Sequence, residues 1–263
     1  MTIKWTGSKK WLLPVFRSMD VCYEPFAGSA SVSLTHAKEA YLNDTCLPLI
    51  NMYKELALRK NDYLTEVRDL FDSIQGDPDP RAKFYEVRNN FKSTGEQDPV
   101  AFLAILYAGF NGLWRASKNG CNVPYGGPRR FPFDKLLITP SDKIKAATCL
   151  SWEHSLPDLE DEDAVIYADA PYSSTFTSYT PAGWTITDDI KLVKALGKRK
   201  NPVIISCLKT DANERNLKAH GFDFVTLGKL YSNGQKKAKR VEEILAFNDR
   251  GINFIKFSEL QTS

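Results

Sequence analysis

Three observations predict an α/β fold whose sheet is mostly parallel. Val165–Ala168 is a short apolar run that stops at an acid, as expected of a strand buried on both faces. Similar runs alternate with helical patterns on both sides of it. Between the two halves, residues 54–141 become helical and then rich in Gly, Asn, Pro, Arg and aromatic residues. This change predicts a mainly helical insertion in an α/β core.

The first part of the core is predicted from the residues that precede the insertion. Val21–Gly28 is an apolar strand that runs into a turn of small residues. A helix is expected to begin at residues 29–31 and to continue towards Lys38. The next predicted strand, Ala40–Leu42, leads to Asp44.

The second part of the core follows Val165–Ala168. Helices are predicted at Thr187–Lys198 and Asp211–His220, and Gly221 is a stop signal for the second. The remaining predicted strands are Val203–Leu208, Phe222–Leu227, Ile244–Phe247 and Ile252–Phe257. Because the strand signals after Gly221 are closely spaced, they predict an antiparallel hairpin at one edge of the sheet.

The insertion is predicted to contain helices followed by a loop-rich segment. The segments with helical spacing of apolar residues are Leu47–Leu58, Tyr63–Ile74, Lys83–Phe91 and Val100–Ala108. Residues 111–132 are rich in Gly, Asn, Pro and Arg. We therefore predict a catalytic domain of residues 1–53 and 142–263 and a helical target-recognition domain of residues 54–141.

Composition and charge exclude several classes of protein. The chain has 263 residues, of which 43% are hydrophobic and 25% charged, with a net charge of +3, and these values are ordinary for a globular protein. No apolar run approaches the roughly 20 residues of a membrane span, and the N-terminus lacks the apolar core of a signal peptide. We therefore expect no membrane partner and a cytoplasmic location. The five scattered cysteines are typical of reduced thiols, and the three distant histidines predict no metal site.

The tetrapeptide Asp169-Ala170-Pro171-Tyr172 directly follows the predicted buried strand. In open α/β sheets, ligands bind beyond the carboxyl ends of the strands, so Asp169 is expected at a binding crevice. A carboxylate acceptor, a stiff proline and the flat ring of Tyr172 together suit a planar amine. An ordinary Asp-x-Pro turn is the alternative, and the tetrapeptide alone does not separate the two.

A second signal is the turn Glu24-Pro25-Phe26-Ala27-Gly28 between the first predicted strand and helix. It has one glycine and does not match G-x-G-x-x-G, which disfavours a nicotinamide cofactor. Asp44, at the end of the next strand, can accept hydrogen bonds from both hydroxyls of a ribose. Together they indicate an adenosine-containing ligand without a pyrophosphate, and S-adenosylmethionine fits. Each piece taken singly is also compatible with an ordinary turn or strand end.

Six motifs occur in a fixed order along nearly the whole chain. They are Lys-Trp-x-Gly-x-Lys at 4–9, Glu-Pro-Phe-Ala-Gly at 24–28, Leu-Asn-Asp at 42–44, Phe-Asn-Gly-Leu-x-Arg at 110–115, Asn-Val-Pro-Tyr-Gly at 122–126 and Val-Glu-Glu-Ile-Leu-Ala-Phe-Asn at 241–248. With these motifs in this order, the chain resembles the DNA adenine methyltransferase (Dam) family. Its compact form resembles the phage-encoded or orphan members of that family. The resemblance implies a Rossmann-like S-adenosylmethionine-dependent methyltransferase sheet, double-stranded DNA as partner and base flipping.

The resemblance also implies roles for residues at the matching positions. Those expected to bind the cofactor are Trp5, Lys9, Glu24, Phe26, Ala27, Gly28, Asp44 and Asp169. The residues expected at the catalytic centre are Asp169, Ala170, Pro171 and Tyr172. There, the carboxylate and a backbone carbonyl would hold the amine of adenine, and Tyr172 would stack on the extruded base. Taken alone, Trp5 is compatible with a core aromatic and Lys9 with a solvated charge.

DNA contacts are expected from a loop-rich region and from a second basic patch. The residues are Arg115, Lys118, Asn119, Asn122, Arg129, Arg130, Lys236 and Lys237. Compared with the family, the chain is about one residue shorter before Asn122 and has Asn119 near the position of an arginine that reads guanine. The resemblance would imply GATC as the target sequence. A shorter or more relaxed target sequence is therefore an alternative. We expect a monomer or a weak dimer on DNA.

One position departs from the family, since most members have Pro where this chain has Ala170. The backbone carbonyl survives the change, but local stiffness is lost. Ala170 therefore motivates one alternative, a DNA-binding pseudoenzyme. A second alternative is an amino-methyltransferase that acts on RNA or protein, against which the DNA-type insertion argues.

Overall fold

A mixed sheet of seven strands forms the centre of the protein. The computed structural model describes residues 3–117, 119–158, 161–173, 183–231 and 239–261. In these residues the strands are β1 Met19–Glu24, β2 Ala37–Asn43, β3 Ala116–Ser117, β4 Gly120–Cys121, β5 Ile144–Thr148, β6 Val165–Ala168, β7 Val203–Leu208, β8 Asp223–Tyr231 and β9 Lys239–Phe247. Strands β3 and β4 form a separate small hairpin.

The order of strands across the sheet is β5-β2-β1-β6-β7-β9-β8. Strands β5, β2, β1, β6 and β7 are parallel, and β9 pairs antiparallel with both β7 and β8. The α/β fold with a mostly parallel, Rossmann-like sheet and an antiparallel edge hairpin is thereby confirmed. The chain moves outward from β1 to β5 and returns to β6 beside β1, so the direction of winding reverses between β1 and β6. Ligands of open α/β sheets bind at such a reversal, beyond the carboxyl ends of the strands.

Helices connect the strands and cover both faces of the sheet. They are α1 Ser31–His36, α2 Leu47–Gln75, α3 Pro80–Ser93, α4 Pro99–Ala108, α5 Phe133–Leu137, α6 Ile186–Leu196 and α7 Asp211–Ala219. The two helices predicted before residue 76 are confirmed as two helical stretches of α2 that meet at a kink, where Arg59 leaves the helical conformation (φ −146°, ψ 48°). None of the described helices has the length and apolar character that a membrane span requires.

The apolar core consists of helices that pack on both faces of the sheet and at its β2 side. Helices α6 and α7 pack on one face of the central strands. A short 3₁₀ helix, Lys10–Val15, packs on the other face through Leu12 and Val15, which places Lys9 next to the sheet. Helices α2, α3 and α4 pack together against the β2 side, through Ala40 and Leu42.

One predicted strand is wrong, and one observed strand was not predicted. Ile252–Phe257 is not a strand, because Gly251–Phe254 forms a 3₁₀ helix and only Ile255 makes an isolated bridge, to Phe16. A short apolar run does not by itself distinguish these conformations. Strand β5, Ile144–Thr148, was not predicted, because its three central residues, Lys145, Ala146 and Ala147, are of types depleted in strands. Its position at the sheet edge, beside β2 alone, tolerates this composition.

The buried side chain of Asn43 ties three segments together at the carboxyl end of β2. Its Nδ2 donates to the carbonyl groups of Pro25 at 3.0 Å and Leu150 at 3.1 Å. Its Oδ1 accepts from the Thr148 hydroxyl and from the Leu150 N–H, both at 2.9 Å. One amide therefore joins the exit of β1, the end of β2 and the end of β5.

We predict that Asn43→Ala lowers the free energy of unfolding by about 2–4 kcal/mol, because it leaves buried backbone groups without their partners. Urea denaturation measures the change. Asn89→Ala, on the exposed face of α3, is the control and should stay within about 0.5 kcal/mol of wild type. Equal losses in the two variants would contradict the assignment.

Candidate active site

Three acidic residues follow, or end, three neighbouring strands at the carboxyl edge of the sheet. Glu24 ends β1, Asp44 follows β2 and Asp169 follows β6. All four residues of β6 are buried, whereas the side chain of Asp169 is 20% exposed. The structure thus brings together the acids that the sequence singled out. Each of the three carboxylates has a different environment.

Hydrogen bonds and a close contact with Trp5 fix the conformation of the turn at Gly28. Gly28 has a positive φ of +46°, its N–H donates to Asp44 Oδ2 at 3.0 Å, and its carbonyl accepts from the Tyr53 hydroxyl at 2.7 Å. The N–H of the preceding Ala27 donates to the carbonyl of Asn43 at 2.7 Å. A Cβ at Gly28 would lie 3.1 Å from the ring of Trp5, so that ring closely covers the turn. Trp5 and Gly28 therefore lie together, as predicted.

Asp44 orients this turn, and both of its carboxylate oxygens accept hydrogen bonds. Its Oδ1 accepts from the N–H of Cys46 at 2.9 Å, while Oδ2 holds Gly28. Burial raises the pKa of the Asp44 carboxyl, and backbone hydrogen bonds oppose this effect. Each carboxylate oxygen can accept more than one hydrogen bond. The predicted ribose contact therefore stays compatible with the internal ones, and it stays a prediction.

Glu24 is bound internally. Its side chain is 3% exposed, and Oε1 accepts from the N–H of Ser33 in the first turn of α1 at 2.7 Å. Burial raises the pKa of Glu24 to about 7; the Ser33 hydrogen bond opposes the rise and the nearby Asp169 charge adds to it. The carboxylate that was predicted to bind a cofactor thus caps a helix, and its cofactor contact stays a prediction.

Lys9 is buried among the charges of the site. Its Nζ lies 2.8 Å from Asp169 Oδ1, 3.9 Å from Glu243 Oε2 and 5.1 Å from the centre of the Tyr172 ring. Nζ also donates to the carbonyl of Gly7 at 3.2 Å. Burial alone would lower the pKa of Lys9, but the two carboxylates outweigh it and the pKa is raised. The ammonium is therefore charged at neutral pH, and the solvated-lysine alternative is wrong.

Two residues near the site were missed by the sequence interpretation. Glu243 was quoted only as part of a motif, although a glutamate that directly precedes the apolar run Ile244–Phe247 was a usable signal. Trp184 packs edge-on against Phe26, with ring centres 5.3 Å apart, and its indole N–H donates to Asp189 at 2.7 Å. These two rings form an aromatic wall beside the turn. Ala170 is 9% exposed and lies in the apolar cluster that contains this wall.

The predicted DNA-binding residues occupy different positions. Those with exposed side chains are Arg115, Asn119, Asn122 and Arg130, on and around the β3–β4 hairpin. Arg129 is instead directed inward, donating to the carbonyls of Gly109 at 3.2 Å and Gly127 at 3.3 Å and to that of Gly126. Its structural role was not foreseen. Lys118, Lys236 and Lys237 lie outside the described residues.

The hairpin is fixed to the helices behind it. The carboxylate of Glu96 accepts from the N–H of Cys121, and Arg88 Nη1 donates to the carbonyl of Val123 at 2.9 Å. The exposed polar side chains are therefore carried by a braced loop. Within the described residues, no three His, Cys, Asp or Glu side chains form a group that could hold a metal ion.

Comparison with known proteins adds independent findings. The family model described as D12 class N6 adenine-specific DNA methyltransferase matches residues 5–233. The chain is 31% identical over 221 residues to the retron Ec67 DNA adenine methylase of Escherichia coli, covering 78% of this chain and 75% of that protein. It is 30% identical over 270 residues to a DNA adenine methylase of Vibrio cholerae serotype O1, covering 93% and 94%. It is 28% identical over 271 residues to the DNA adenine methylase of Escherichia coli K12, covering 95% of each.

The buried Glu24 predicts a specific pH dependence of stability. Since its pKa rises from 4.5 to about 7 on folding, the folded state holds a proton that the unfolded state has lost between these values. Its contribution to stability is therefore complete below pH 4.5 and is lost as the pH rises through 7. Glu24→Gln should reduce the fall in unfolding free energy between pH 5 and pH 8 by about 2–4 kcal/mol. Urea titrations of both proteins at the two pH values test this, and an unchanged fall in the variant would refute it.

Proposed function

The chain belongs to the D12 class N6 adenine-specific DNA methyltransferase family, and we propose that it transfers the methyl group of S-adenosylmethionine to the N6 amine of adenine in double-stranded DNA. The observation that carries the proposal is the position of Asp169. Its partly exposed carboxylate follows the central strand β6, at the reversal point of the sheet, beside the Gly28 turn.

The methyl donor is proposed to bind on the side of the crevice that is formed by the Gly28 turn. We propose that the Gly28 turn, the rings of Trp5 and Phe26 and the carboxylate of Asp44 hold S-adenosylmethionine. The absence of a Cβ at Gly28 lets the indole of Trp5 lie close over the turn, since a Cβ there would lie 3.1 Å from the ring. When bound, S-adenosylmethionine supplies an activated methyl group on a sulfonium.

The acceptor amine is proposed to bind at Asp169. The lone pair of adenine's amino group is delocalised into the ring, so the nitrogen is a poor nucleophile. Lys9 Nζ lies 2.8 Å from Oδ1 of Asp169 and fixes the carboxylate, which accepts an N–H of the amine. A backbone carbonyl of the tetrapeptide accepts the other. Holding both protons favours a more tetrahedral nitrogen, so catalysis consists of positioning and electrostatic stabilisation.

Access to this site requires base flipping. A base stacked in a duplex cannot reach a carboxylate at the bottom of a crevice, and extrusion costs a few kcal/mol. We propose that the ring of Tyr172, which faces the Lys9 ammonium at 5.1 Å, stacks on the extruded adenine.

DNA is proposed to lie against the helical segment of residues 54–141, the target-recognition part of the chain. The exposed side chains of Arg115, Asn119 and Asn122 at the braced hairpin, together with that of Arg130 farther along the chain, supply the phosphate and base contacts. Asparagine at 119 supports a target that is shorter or more relaxed than GATC. We propose that the enzyme acts as a monomer or a weak dimer on DNA, in the cytoplasm.

Gly28→Ala tests the donor site. The added methyl group meets Trp5 at 3.1 Å, and its φ of +46° strains any residue with a Cβ. We expect roughly tenfold weaker binding of S-adenosylhomocysteine by calorimetry, equivalent to about 1.4 kcal/mol. Gly221→Ala is matched to it, because Gly221 has φ +83° and open space around its Cβ position. That control should lose stability without losing affinity, and an equal loss of affinity in both would argue against the assigned turn.

Asp169→Ala tests the acceptor site. With labelled donor and unmethylated duplex DNA, wild type should form N6-methyladenine, and the variant should be slower by at least about 100-fold while still binding donor. The control Asp163→Ala removes a 96% exposed carboxylate near the start of β6 and should keep wild-type turnover. Label found only in RNA or protein would favour an amino-methyltransferase that acts on RNA or protein. DNA binding without label would favour a DNA-binding pseudoenzyme. Undiminished turnover in Asp169→Ala would remove that residue from the mechanism.

A further inference from the structure

Glu243 is a charged residue on an otherwise apolar face of strand β9. Its side chain is 1% exposed, and the next residues on the same face, Leu245 and Phe247, belong to the apolar core. Burial of a carboxylate costs several kcal/mol unless nearby groups compensate it. A glutamate at this position therefore requires a specific explanation.

The antiparallel direction of β9 brings Glu243 to the candidate active site. Because β9 runs opposite to β7, its first half lies at the sheet's carboxyl edge, where Glu243 pairs with Leu208 at the end of β7. There, its Oε2 lies 3.9 Å from Lys9 Nζ, while Asp169 Oδ1 lies 2.8 Å from the same nitrogen. Two carboxylates on different strands thus share one ammonium. We call Lys9, Asp169 and Glu243 the Lys9 cluster.

The sharing has an electrostatic consequence. One ammonium facing Asp169 alone would cancel most of the negative charge that the site offers to a cationic ligand. A second carboxylate at the same ammonium restores negative potential, and this potential is stronger in a buried site than in water. Among the side chains that the structure describes, the other ionisable groups near the cluster include Glu24, Cys207, Tyr167 and Tyr172, none of which carries positive charge.

We propose that Glu243 is a positioning residue which acts through Lys9 and makes the site prefer the cationic methyl donor over its neutral product. This inference rests on the proposed use of S-adenosylmethionine. The donor carries a sulfonium charge, whereas S-adenosylhomocysteine is a neutral thioether. Negative potential from the Lys9 cluster stabilises the first and has little effect on the second, so it favours donor binding and product release.

The test compares the affinities of a neutral and two cationic ligands. In Glu243→Gln, which keeps the shape but loses the charge, we expect S-adenosylmethionine and the amine analogue sinefungin to bind roughly tenfold more weakly. S-adenosylhomocysteine should change less than about twofold. Glu243→Met, which removes the charge while suiting the apolar face, should show the same loss of preference even if the Gln variant folds poorly.

A matched control lies next to Glu243 in the chain. Glu242 points to the opposite side of β9 and pairs with Lys209 at 3.2 Å on the surface, so Glu242→Gln should leave all three affinities unchanged. If Glu243 had only a structural role, its substitution would weaken the binding of neutral and cationic ligands alike, and that result would overturn the inference. Unchanged affinities in both Glu243 variants would overturn it as well. If wild type binds none of the three ligands, the proposed function fails and the inference fails with it.

Discussion

The buried ammonium of Lys9 is the interaction on which the candidate site depends. It approaches Asp169 after β6, Glu243 on β9 and the ring of Tyr172. These groups come from separate parts of the chain, so one cation fixes how the N-terminal segment sits on the sheet. A buried lysine is stable only with opposite charges beside it, and the carboxylates in turn need the lysine. Their mutual dependence fixes the position of the Asp169 carboxylate, whose side chain stays 20% exposed.

The same edge of the sheet gives three carboxylates three different tasks. Glu24 is enclosed, so burial disfavours its charge even though a helix N–H donates to the carboxylate. Asp44 holds the Gly28 turn with one oxygen and the next segment with the other. Asp169 alone combines partial exposure with an ion pair. Environment, rather than residue type, therefore separates the structural acids from the one that we propose binds an amine.

Sequence patterns could predict the parts of the fold that depend on local signals. The buried run Val165–Ala168 became β6 with the predicted bounds, and the turn-and-acid pattern correctly brought Gly28 and Asp44 together. Strand β5 could not be found this way, because its place depends on pairing with β2 and not on its own composition. The inward contacts of Arg129 and the role of Glu243 also depend on distant partners. No local pattern states which carbonyl or ammonium a charged side chain will meet.

The substitution of alanine for the family's proline at 170 can be understood from packing. A proline restrains the backbone through its ring, whereas Ala170 is restrained by burial, being 9% exposed in the apolar cluster beneath Phe26 and Trp184. The following Pro171 still fixes its own φ and limits the conformation of the residue before it. The carbonyl of Ala170 is therefore held from both sides without a second ring. A backbone acceptor needs a fixed position and not a particular side chain, so the tetrapeptide retains what the proposed chemistry requires.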